Sequence, residues 1–95
     1  LSRTDMQNLA DLNLENEPEL EFARDLYLFS FYAQGMAFVD IVLLRKSDIC
    51  NGVLAYSRHK SKQLIRIAVT SQMQGLMDKY KTENEYLFPL SDNQR

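Results

Sequence analysis

Between Leu20 and Ala33 the chain is apolar on two adjoining faces of a 3.6-residue period. Leu20, Ala23, Tyr27 and Ser30 form one face, and Phe22, Leu26, Phe29 and Ala33 form the other. Leu28, Phe31 and Tyr32 widen the second until the segment is apolar nearly all round, the pattern of a helix buried at the centre of a fold. The aromatic residues Tyr27, Phe29, Phe31 and Tyr32 are therefore expected in the core. Gly35 follows at once and suits the left-handed residue that stops a helix. A further helix is predicted over residues 38–44, with Asp40 near its start.

Upstream, Met6, Leu9 and Leu12 at helical spacing behind Ser2 or Thr4 predict a short first helix. An acidic link then leads to Pro18, which suits a first helical turn, with Glu19 and Glu21 where the helix dipole favours acids. Downstream the period changes. "GVLAYSR" and "QLIRIAV" alternate with period two around the basic tip "SRHKSK", which predicts a β-hairpin. Asn51-Gly52 is a strong turn pair ahead of it. Thr70 or Ser71 caps a last helix carrying Met73, Leu76, Met77 and Tyr80, and "KTENEYLFPL" is a link ending in an apolar anchor. The predicted fold is α+β and mainly helical, about four helices with one β-hairpin between the third and fourth. It reads as one partial domain, 1–95: first helix and acidic linker (1–17), central helices (18–50), hairpin (51–69), helix and connector (70–95).

Composition bounds the function. At 95 residues and 45% hydrophobic, the chain can fill one core but not two. No apolar run approaches the roughly 20 residues of a membrane helix, and the polar, acidic start does not resemble a signal peptide, so a cytoplasmic protein is expected. The single Cys50 and single His59 are too few for a metal centre. Cys50 is expected to be a plain half-buried residue in a reducing compartment. The missing initiator Met and the polar "PLSDNQR" end predict an excised segment.

The net charge of −2 hides an uneven distribution. Seven acids fall in the first 25 residues, whereas residues 45–66 carry Arg45, Lys46, Arg58, Lys60, Lys62 and Arg66 against Asp48 alone. Screening acts over about 8 Å at physiological salt, so this local excess outweighs the sum.

The ordered set Gly35, Asp40, Leu44, Arg45, Asp48, Ile49, then Lys60 and the strand "LIRIAV", resembles the catalytic domain of tyrosine recombinases, the phage-type integrases. "FSFYAQGMAFVDIVLLRKSDI" is especially similar to integrases of Bacteroides-type mobile elements, and the resemblance covers nearly the whole chain. It implies the front part of an enzyme that cuts and rejoins double-stranded DNA through a 3′-phosphotyrosyl link, for integration and recombination. It implies partners in DNA and other recombinase subunits, with no cofactor, metal, small-molecule substrate or membrane.

Residue by residue, the resemblance makes Lys60 the hairpin lysine that protonates the leaving oxygen. It places Gln34 where this branch carries an arginine, and Ala37 where other relatives carry theirs. Gln34 can donate neutral hydrogen bonds to a phosphate but lacks the charge that roughly doubles their strength. Arg45, Arg58, His59, Lys62 and Arg66 are the candidate phosphate contacts, of the kind that position DNA without reading it. Arg45 and Asp48 are also expected to fix the turn after the helix, and Asp40 to cap that helix or pair with a basic neighbour. The family's His-x-x-Arg motif and nucleophilic tyrosine have no counterpart here, since His59 is followed at +3 by Lys62, and Tyr80 and Tyr86 fall at a helix end and in the connector. The segment alone is expected to be inactive. Two other readings stay open: a small helical protein-interaction module, and a degenerate, inactive integrase.

Overall fold

A computed structural model describes the backbone of residues 3–90 and the side chains of residues 7–90. The expected cap at Ser2 or Thr4, the Met6 contact and the polar end lie outside these. The fold is a small α+β unit. Among the described residues four α-helices, α1 (Arg3–Ala10), α2 (Pro18–Tyr32), α3 (Phe38–Leu43) and α4 (Ser71–Lys79), accompany a sheet of β1 (Ile49–Cys50), β2 (Val53–Ser57) and β3 (Leu64–Ala68), of which one face is buried.

The hairpin over 51–69 proves to be two thirds of an antiparallel sheet, β1-β2-β3. Asn51 and Gly52 both take positive φ, 53° and 76°, the geometry that joins twisted strands through two residues. They thereby turn the end of "RKSDIC" into β1, pairing Ile49 with Leu54 and Cys50 with Val53. Cys50 is exposed on that edge, not half-buried, because it alternates with Ile49, the residue of β1 that packs against the core. Leu54, Tyr56 and Ile67 face the core, while Ala55 pairs with Arg66.

Pro18 opens α2 as expected, with Glu19 and Glu21 in its first turn. Its burial is one-sided. Leu28 and Phe29 are enclosed, but Leu20, Tyr27 and Phe31 are 56%, 51% and 38% exposed. The expectation that Tyr27 and Phe31 lie in the core is corrected, because this small fold covers one long face of α2 and not its whole circumference. The centre is built from Phe29, Ile41, Leu44, Leu54 and Met73, each essentially without exposed surface. Thr70 caps α4, its Oγ1 accepting the Met73 N–H at 3.2 Å. The connector packs back across the core, with Leu87 N–H donating to the Leu44 carbonyl and the Phe88 ring set edge-on to Phe29 at 5.1 Å.

At the end of α2 two consecutive residues are left-handed, Gln34 at φ 63° and Gly35 at φ 83°. The stop therefore begins one residue before the glycine. Ser30 secures it: its carbonyl accepts the Gly35 N–H at 2.8 Å, and its hydroxyl donates to the Met36 carbonyl at 2.7 Å. A Cβ on Gly35 would meet no atom within 4 Å, so only backbone strain opposes a side chain there. Gly35→Ala is expected to cost about 1–2 kcal/mol in urea unfolding, with the core otherwise unchanged.

A buried ionic group, absent from the sequence reading, joins three helices. The Asp25 side chain on α2 is 5% exposed, and Arg24 Nε and Lys79 Nζ each bond it at 2.7 Å. The Tyr80 hydroxyl also donates to it. Arg24 Nη1 meanwhile donates to the carbonyls of Leu9, Ala10 and Leu12, closing the C-terminal end of α1. Burial pushes the Asp25 carboxyl up, but bonds from Lys79 and Tyr80 and the charges of Arg24 and Lys79 outweigh it, so its pKa lies below the ordinary value. Burial and the bond to Asp25 push the Tyr80 phenol up to about 12.

Candidate nucleic-acid interface

The chain leaves α3 through Leu44 into a turn whose geometry is set by Asp48. Its Oδ2 accepts the Arg45 N–H at 2.9 Å, so the expected structural role of Arg45 and Asp48 in this turn is realised. The strand pair β2–β3 then carries the basic loop back over α3. The loop closes on itself, with Arg58 N–H donating to Gln63 at 2.9 Å and Lys62 N–H to Arg58 at 2.8 Å, and Lys62 turns left-handed at φ 60°.

Between α3, the Arg45 turn and this loop lies a hollow of about 460 Å³. Arg45, Arg58, His59 and Lys62 reach its wall together with Asp40 and Asp48. Four of the seven candidate residues thus meet at one place. The other three do not. Lys60 is exposed at the loop tip and Gln34 is exposed in the α2–α3 turn, and neither is part of the hollow's wall. Arg66 lies opposite Ala55 and alternates with the inward Ile65 and Ile67, so it stands on the outer face of the sheet.

The charges are partly engaged. Arg45 forms an exposed ion pair with Glu85 at 3.7 Å and lies 5.8 Å over the Tyr86 ring, which ties it to the connector. Lys46 donates to the Thr82 carbonyl and takes no place in the hollow. Asp40 neither caps α3 with its side chain nor pairs with a base, as was expected of it. Its Oδ1 accepts the backbone N–H of His59 at 2.9 Å. Three permanent cations therefore stand against two carboxylates, and the rest of the linear window's excess lies elsewhere, on Lys46, Lys60 and Arg66.

Among the described residues no group of three or more His, Cys, Asp and Glu side chains is placed to hold a metal ion. Nor is any helix among them long and apolar enough to cross a membrane. Tyr80 follows the last turn of α4 as its C-cap and donates its hydroxyl to Asp25. The wall of the hollow thus gathers Arg58, His59 and Lys62 of one loop with Arg45, Asp40 and Asp48.

Comparisons with protein families, with curated proteins and with solved structures return no match.

A second depression, about 680 Å³, runs along the exposed stripe of α2 between α3 and the connector. Phe22, Leu26, Tyr27, Phe38 and Leu90 make it apolar, with Glu19 at one end.

Proposed function

We propose that this chain is the front portion of a tyrosine-recombinase catalytic domain, a DNA-binding scaffold that carries the hairpin lysine but not the nucleophile. The convergence of Arg58, His59 and Lys62 with Arg45 on one hollow carries this reading. Cations spaced along a duplex backbone are met by phosphates, and a loop held at both ends loses little freedom on binding them. In this reading Lys60, at the loop tip, enters the groove to deliver a proton, while the hollow behind it takes phosphate oxygens. Gln34 contributes a neutral hydrogen bond at most, which weakens transition-state stabilisation where a guanidinium is otherwise used.

The test is duplex-DNA binding as a function of salt. Wild type is expected to bind weakly, with log affinity falling linearly in log salt. Arg58→Ala and Lys62→Ala should each reduce the slope by about 1, and the pair together by about 2. Binding indifferent to salt, or no binding in a longer chain, would overturn the proposal. Replacing Gln34→Arg in a full-length parent and looking for covalent DNA adducts separates an active enzyme from a degenerate one.

The apolar groove along α2 favours a second reading, a protein-interaction module whose occupant is a second copy of the chain. The apolar groove of one copy, with Glu19 at one end, suits the hairpin of the next, whose exposed Leu64 is the apolar contact and whose basic loop meets Glu19. That reading requires concentration-dependent oligomers that dissociate in salt, and indifference to DNA. A monomer at millimolar concentration rejects it.

A further inference from the structure

We propose that Asp40 is the positioning residue of the basic loop, a latch whose own charge limits how tightly the hollow holds an anion. The proposal builds on the phosphate reading above for its binding arm only.

Asp40 is 7% exposed, yet it forms part of the wall of a hollow rimmed by cations. A carboxylate so placed ordinarily takes a cationic partner. Among the described residues Asp40 forms no ion pair, although Arg58, His59 and Lys62 belong to the same hollow. Its hydrogen bond goes to a backbone N–H, that of His59, at 2.9 Å. This bond links α3 to a loop 19 residues further along the chain. Among the described residues the loop's remaining backbone bonds are its own, Arg58 with Gln63 and Lys62 with Arg58, where it closes the hairpin between β2 and β3. Asp40 is thus the side chain that fixes where the loop lies over the hollow.

The two roles have opposite signs for an incoming phosphate. As an acceptor, Asp40 holds Arg58, His59 and Lys62 in place, which favours binding. As an anion, it repels the phosphate, which opposes binding. Asparagine separates them, because its carbonyl oxygen can still accept the His59 N–H while the charge is gone. Alanine removes both.

The experiment measures duplex-DNA affinity at fixed salt for wild type, Asp40→Asn and Asp40→Ala, and hydrogen exchange of the His59 amide in each. Asp40→Asn is expected to bind about three- to tenfold more tightly, the size of one unit charge removed from a screened site. Asp40→Ala is expected to bind about threefold or more weakly, with the His59 amide exchanging at least about tenfold faster. Tighter binding by both variants would mean that Asp40 only repels, and weaker binding by Asp40→Asn would mean that its charge is needed. Either overturns the latch, as does a His59 amide that exchanges freely in wild type. Where Asp40→Ala does not fold, Asp40→Asn and the wild-type amide still decide. If no protein binds DNA while the His59 amide is protected and Asp40→Ala releases it, the phosphate reading fails and the latch stands.

Discussion

Asp25→Ala is expected to destabilise the protein by about 3 kcal/mol or more, a large share of the 5–15 kcal/mol that holds a domain together. The Asp25 and Arg24 side chains are 5% and 9% exposed, so deletion of the carboxylate leaves the guanidinium facing a buried void. Arg24 cannot swing out to water without releasing the carbonyls of Leu9, Ala10 and Leu12 that close α1. Lys79, 42% exposed, adds less, because water screens its pair and Glu21, bonded to it at 2.8 Å, still holds it once Asp25 is gone. Asp25→Asn preserves shape and one acceptor and should lose less, about 1–2 kcal/mol. Urea unfolding of the three proteins decides, and a loss under about 1 kcal/mol for alanine would show the group to be dispensable.

The same group makes the stability of the fold depend on pH at both ends of the scale. The Asp25 pKa is lower folded than unfolded, so its stabilisation is present above the ordinary carboxylate value and is lost as pH falls through the folded one. Tyr80 behaves oppositely. Its phenol is raised from 10.0 to about 12, so its stabilisation is complete below about pH 10 and disappears as pH rises through about 12. Tyr80→Phe should flatten the alkaline limb of stability against pH, and it should also make the acid limb shallower, because one of the bonds that lower the Asp25 pKa is lost while those of Lys79 and Arg24 stay.

Phe29→Ala is expected to cost about 3–5 kcal/mol, the range for emptying an aromatic site in a packed core. Phe29 has no exposed surface and is the meeting point of α2 with the connector, through its edge-on contact with Phe88. Part of the loss, about 0.5–1.5 kcal/mol, belongs to that ring pair. The connector should loosen first, so amide exchange at Leu87, bonded to Leu44, is the sensitive readout. By contrast Tyr27→Ala, on the same helix but 51% exposed, should change stability by well under 1 kcal/mol. Equal losses at the two positions would contradict the one-sided burial of α2.

Much of the architecture was legible locally. Pro18, Gly35, Asn51-Gly52 and Thr70 each act through their own backbone or a bond within a few residues, and each took the expected role. Which face of α2 is buried was not legible, because an all-round apolar pattern does not say how much surface the remaining elements can cover. The Asp25 group was also hidden. Its partners stand next to it in the chain and 54–55 residues away, and Asp25 in "ARDLYLF" carries no mark of being buried. The candidate site was half legible. The basic tip was visible as composition, but composition does not distinguish Arg58 and Lys62 on the hollow from Lys60 at the tip or Arg66 across the sheet.

By itself, then, the sequence determined the elements, their order, the turn residues and the presence of a basic hairpin, because each rests on periodicity, capping or left-handed backbone within a short span. Tertiary structure alone decided three things: which apolar face of α2 closes the core, which cations share a surface, and that a buried Asp40 anchors the loop bearing them. These depend on through-space distances between segments far apart in the chain. The left-handed backbone at Gln34 places it in a helix stop, outside the hollow that Arg45, Arg58, His59 and Lys62 share.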